Sequence, residues 1–98
     1  MMRDEDIRAI PPHMHDAVVN WVMHHQPHPR MMGSFFRSVL CNELVDAWAC
    51  ADWENRLALA AWAEWLHMHA PVHCWGSIDA LYAWHDAVSG SSAHEAAQ

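Results

Sequence analysis

The sequence predicts an all-α protein: a compact bundle of four short helices, completed by self-association. Three observations carry that prediction. Apolar residues recur at intervals of three and four along most of the chain. They nowhere alternate over the length of a strand, and no Asn-Gly or Asp-Gly pair is present to turn a hairpin. Seven tryptophans, Trp21, Trp48, Trp53, Trp62, Trp65, Trp75 and Trp84, crowd a chain of 98 residues. Each tryptophan can bury roughly 150–250 Å², and a domain of this size buries only about two-thirds of its unfolded surface. One such interior is too small for all seven, so some are expected at a subunit interface or in a ligand pocket.

The elements follow in order. Residues 1–9 are polar and are expected to fray, outside a single helical domain spanning 10–88. Pro11 and Pro12 open the first helix, where a missing N–H costs nothing. In HMHDAVVNWVMHH, Met14, Val18, Trp21 and Val22 make one apolar stripe. Pro27 and Pro29 stop it, and Ser34 is the expected N-cap of the second helix. That helix, 34–51, carries Phe36, Leu40, Leu44, Ala47 and Ala51 on its apolar stripe, flanked by Phe35, Val39 and Trp48. Asp52 caps the third, 52–69. Here Leu57, Ala61, Trp65 and Met68 form one stripe, and Ala58, Trp62 and Leu66 a second. A helix apolar over that much of its circumference is expected to be buried on two sides, which again points to an oligomer.

Pro71 ends the third helix and Ser77 caps a fourth, 77–88, with Ile78, Leu81, Tyr82 and Trp84 as its buried candidates. Between them, HAPVHCWGS (69–77) reads as an inter-helix corner in which Gly76 lets the backbone turn and Trp75 is the anchor. The small, polar stretch 89–98 is expected to be a mobile tail.

Charge narrows the function classes. The formal net charge is −7, with no lysine and five arginines: Arg3, Arg8, Arg30, Arg37 and Arg56. Such a surface repels a phosphate backbone, so long nucleic acid is not an expected partner. A single small anion gripped by two or three arginines stays compatible with it. Ten histidines make the net charge positive if all are protonated, which is read as a drift in solubility with pH and not as a switch. Cys41, Cys50 and Cys74 are odd in number and form no C-x-x-C pair, which suits a reducing cytoplasm. No apolar run reaches the ~20 residues of a membrane span, and MMRDEDIRAIPP lacks the apolar core of a signal sequence.

The order IPPHM (10–14), PHPRMMGSFFRSVLCNELVDAWACADWENRLAL (27–59), HAPVHCWGS (69–77) and Ala83-Trp84 resembles a family of small proteins encoded by phages and prophages. The shared motifs are an Ile-Pro opening, Asn42-x-Leu44, Ala51-Asp52-x-x-Asn55, Ala70-Pro71 and Cys74-Trp75-Gly76-Ser77. The match covers roughly 10–84 and departs in the loop over 24–33, which is richer in histidine than the Pro-Pro-Gly-Ser-Phe of that family. The resemblance implies a viral accessory protein acting in the host cytoplasm. It carries no catalytic residues over.

Side-chain clusters add little catalytic chemistry. His67, His69, His73 and Cys74 form the best metal candidate, but His69-x-x-x-His73 has no second ligand pair, so no metal or other cofactor is expected. His15-Asp16 and His85-Asp86 are two-letter likenesses to metal phosphohydrolases, and no nucleophile elbow or phosphate-cradling glycine loop is present. The cysteines read as small buried residues. Asn42, Asp46, Asp52, Asn55 and Arg56 gather at the joint of the second and third helices. They serve either as caps and hairpin-joining hydrogen bonds, or as a polar pocket with arginines for an anion and tryptophans for stacking. The candidate ligand-binding set is therefore Arg30, Arg37, Asn42, Trp48, Trp53, Asn55 and Arg56. The expected function is a non-enzymatic phage accessory protein that sequesters a small nucleotide-type host immune signal. The alternative is a helical adaptor that binds and occludes a host protein.

Overall fold

A computed structural model describes the backbone over residues 4–97 and the side chains over 5–87. As expected, the described residues are helical and form no strand. The helices are α1 (His15–His24), α2 (Ser34–Leu40), α3 (Leu44–Cys50), α4 (Trp53–Leu57), α5 (Leu59–Met68) and α6 (Ile78–Ala97). Short 3-10 turns at Asp4–Ile7, Pro12–Met14, Pro29–Met31 and Val72–Cys74 connect or precede them.

Six helices stand where four were expected, because two of the four are interrupted. The helix read over 34–51 ends at Leu40. Asn42 takes a left-handed conformation, φ 63°, which its short polar side chain tolerates better than most. The Asn42 N–H then reaches the Val39 carbonyl at 3.1 Å and the Glu43 N–H reaches Ser38 at 2.9 Å. That pair of bonds is a Schellman closure, which satisfies the last carbonyls of α2. The chain re-enters helix two residues later, and α3 folds back on α2 with Ala47 as its inward residue. The second interruption is milder. Ala58 sits at φ −101°, ψ 11°, yet its N–H still reaches Glu54 and its carbonyl still takes the Trp62 N–H at 2.9 Å. α4 and α5 are one helix with a bend.

The caps divide. Asp52 accepts the Asn55 N–H at 2.8 Å and Ser77 accepts that of Ala80 at 3.1 Å, as N-caps do. Ser34 does not cap: Gly33 holds the N-cap position of α2 without a side-chain bond. α1 stops at His24, ahead of the prolines, because His25 turns left-handed (φ 57°) and its N–H closes on the Trp21 carbonyl.

Within the stretch 1–9 expected to fray, Ile7 is buried beside Ile10, and Asp6 lies 3.5 Å from His69. Burying two isoleucines outweighs the polarity of the flanking residues. At the other end, the α6 backbone runs into the stretch read as a tail. Gln98 and the side chains from 88 on, and with them the expectation of mobility, lie outside the described residues.

Trp21, Trp62 and Trp65 fill the centre, each at most 1% exposed. Trp62 meets Phe35 edge-on at 5.5 Å and Trp65 edge-on at 6.1 Å between ring centroids, the arrangement aromatic quadrupoles favour. The corner over 69–77 is tied to this centre by its backbone. The Trp21 indole donates to the Cys74 carbonyl at 2.8 Å, and the Gly76 N–H to Leu40 at 2.6 Å, with Gly76 at φ 127°. Cys74, fully buried, plugs the corner, while Trp75, the expected anchor, is only half-buried. Burial pushes the Cys74 thiol up to about 12, so it stays protonated at neutral pH. From above, the Trp84 indole donates to the Trp21 carbonyl at 2.7 Å, and His25, stacked on Trp84 at 4.1 Å, donates to the Trp84 carbonyl.

Two substitutions separate these contributions. The Trp62 indole N–H is held by Asn55 Oδ1 at 3.0 Å, deep in the interior, whereas the Trp65 N–H is buried without a partner. Trp62→Phe leaves an acceptor stranded and Trp65→Phe removes a stranded donor. In urea unfolding, Trp62→Phe should cost about 1–3 kcal/mol more than Trp65→Phe, and equal costs would contradict this assignment. At the α2–α3 joint, Asn42→Val should destabilise by about 1–3 kcal/mol while Asn42→Gly is tolerated, because only the first forces a branched side chain into left-handed backbone.

Candidate functional site

The seven residues expected to line an anion pocket do not share one. Asn55 belongs to the core, 2% exposed and bonded to Trp62. Asn42 shapes the α2 closure. Arg37 extends along the loop before α2, its Nη1 donating to the Pro29 carbonyl at 3.3 Å. Arg30 is exposed beside His28, whose ring Nδ1 accepts the Arg30 N–H. Trp53 is exposed. Trp48 and Arg56 are brought together: the guanidinium lies 4.1 Å above the indole ring and its Nε donates to the Trp48 carbonyl at 3.2 Å. This is a cation–π contact at an exposed site. Arg37 and Arg56, the alternative anion-holding arginines of that pocket, are held on different carbonyls.

What the structure assembles instead is an apolar ridge. Leu44, Val45 and Trp48 on α3 are 70%, 78% and 51% exposed, and with Leu59 they border a hollow of about 390 Å³. Positions i, i+1 and i+4 share one side of a helix, and Ala47 takes the side that faces inward. The three residues form an exposed apolar strip on one side of α3, the kind of surface patch that on a monomer is often functional. Glu43 and Asp46 are exposed on the same helix segment.

The sequence reading placed Leu44 on a buried stripe because it ran 34–51 as one helix. The closure at Asn42 re-aims everything after it. The signal was present as an asparagine in mid-helix, a residue that prefers turns and caps to helix interiors.

The polar joint at the start of α4 is structural in its details. Asp52 takes the Asn55 N–H, and its other oxygen lies 2.8 Å from His13 Nε2. The Asn55 N–H, then the His13 contact, holds the Asp52 carboxyl below the usual carboxylate range. Among the described residues, no three His, Cys, Asp or Glu side chains converge to hold a metal ion, and no helix is long and apolar enough to cross a membrane.

No protein-family model, no curated protein and no solved structure matches the chain.

Because the Asp52 carboxyl is lowered on folding, the stability it contributes is complete above its unfolded value of about 3.9 and is lost as pH falls through the lower folded value. Asp52→Asn keeps a capping oxygen without the charge. The wild type should unfold at a higher temperature than Asp52→Asn at pH 5, and the gap should begin to narrow below about pH 4 and close once pH is below the lowered folded value. A gap that persists in acid would show that charge is not the cause.

Proposed function

We propose that this chain is a non-enzymatic helical adaptor that binds and occludes a partner protein through the α3 ridge. The observation that carries the reading is the exposure of Leu44, Val45 and Trp48 together on one side of a short helix. A stable interface buries ~800 Å² per partner, more than three side chains expose, so the polar residues around the ridge serve as the rim. Glu43 and Asp46 on that rim, in a chain of net charge −7, suit an apolar groove edged by lysines and arginines. Following the phage resemblance, the partner is a host protein in the host cytoplasm. The homo-oligomer expected from the tryptophan surplus is then a pair of chains that cover each other's ridges when no partner is present.

A second reading keeps one specific observation. Trp48 with Arg56 above it offers an aromatic face and a cation, the two elements of nucleotide capture. Calorimetry against cyclic and ADP-ribose-type nucleotides decides it: heats that vanish in Trp48→Ala would favour sequestration, and uniformly null heats would remove it.

The adaptor reading is tested on the ridge itself. Val45→Asp should leave the circular dichroism unchanged, since that side chain is already in water, and light scattering should find it monomeric where the wild type pairs at high concentration. A photo-crosslinker at position 45 in host cells should give a discrete adduct that is lost with Leu44→Asp. Association of Val45→Asp identical to the wild type, together with no adduct at 45, would overturn the reading.

A further inference from the structure

A cavity of about 460 Å³ opens where the turn before α1, the loop carrying Pro27, α2 and the α3–α4 joint meet. Its depth is apolar: Met32, Phe35 and Phe36 line it and are all buried. Met31, which also lines it, is exposed and stands at the mouth. Gly33 belongs to the same wall, and a Cβ added there would meet nothing within 4 Å. Interiors normally close such gaps with side chains. This one stays open at a size within the roughly 300–1,000 Å³ of small-molecule pockets.

Three polar residues border the apolar space: Ser34, Asp52 and Asn55. Ser34 does not cap α2, so its hydroxyl is not committed to the helix. Asn55, 2% exposed, gives its Oδ1 to the Trp62 indole, and its amide nitrogen carries two further donors. Asp52 supplies acceptor oxygens. Its carboxylate already takes the Asn55 N–H and lies 2.8 Å from His13 Nε2, so little of its charge is left for a cation. An anion is disfavoured outright: among the described residues of the lining, Asp52 alone is charged.

We propose that this cavity binds an uncharged aromatic amide. The ring lies among Phe35, Phe36 and the thioethers of Met14 and Met32, where ring–ring and sulfur–aromatic contacts hold it. The amide carbonyl accepts from the Ser34 hydroxyl or the Asn55 amide, and the amide N–H donates to Asp52. Met31, long and flexible, closes over the mouth. The cavity shares no lining residue with the α3 ridge, so this is a second binding function and not part of that interface.

The test is a titration of the full-length protein, labelled with ¹³C at the methionine methyls, with 2-naphthamide and, separately, with 2-naphthoate, which has the same rings and a negative charge. The amide should shift the Met14 and Met32 methyls saturably through its ring current and leave Met68, which lies outside the lining, unmoved. The carboxylate should bind at least tenfold more weakly. Gly33→Phe, at a backbone conformation any residue adopts, should abolish the shifts with circular dichroism intact. Ser34→Ala should weaken the amide about fivefold, the worth of one hydrogen bond. Unmoved Met14 and Met32 methyls, equal binding of the carboxylate, or undiminished binding by the Gly33→Phe/Ser34→Ala double variant would each overturn the proposal.

Discussion

The fold depends on indole N–H groups that reach backbone carbonyls far away in the chain. Trp21 holds the carbonyl of Cys74, and Trp84 holds the carbonyl of Trp21. His25, lying flat on Trp84, holds the carbonyl of Trp84 in turn. The Cys74 carbonyl lies in the buried corner, where an acceptor left without a partner costs roughly 1–3 kcal/mol, whereas the Trp21 carbonyl also accepts the His25 N–H that closes α1. Through these bonds α1 becomes the post to which both the 69–77 corner and α6 are attached. The corner in turn takes α2 through Gly76 and Leu40. Short helices that would be marginal in isolation are therefore registered against one another by directional bonds as well as by apolar burial.

The ridge on α3 is the complement of that arrangement. The central tryptophans consume the interior, and the closure at Asn42 sends the next seven residues back along the outside of α2. Ala47 alone among the α3 residues is buried. The apolar residues that the interior cannot take, Leu44, Val45 and Trp48, collect on the outer side. The surplus of aromatic residues visible in the composition thus reappears as a surface feature, with Arg56 laid over the one large ring in it.

Much of the architecture was legible in the sequence, and the failures have physical causes. Helicity, the caps at Asp52 and Ser77, and the corner at Pro71–Gly76 follow from local rules that need only a few neighbouring residues. The break at Asn42 was missed because the apolar spacing continues across it, and periodicity does not detect a single left-handed residue. The docking of Ile7 was missed because one isoleucine in a polar stretch gives no periodic signal. The candidate anion-site residues are spread over the fold for a different reason. Arg37, Arg56, Asn42 and Asn55 are close in sequence, but which way each side chain points depends on the axis of the helix that carries it, and that axis changes three times between 40 and 59. Trp48 and Arg56 came together because they lie on either side of the α3–α4 joint.

One property of the indole lock concerns how this protein tolerates mutational drift. Its donors are side chains and its acceptors are main-chain carbonyls. Any residue at position 74 still presents a carbonyl, so that position is free to vary in chemistry as long as it stays small enough for the corner. Positions 21 and 84 have no such latitude, since no other side chain combines that ring with that N–H. The lock is therefore asymmetric under mutation. Distant relatives would be recognised by a spaced pair of tryptophans sooner than by the motif they clasp.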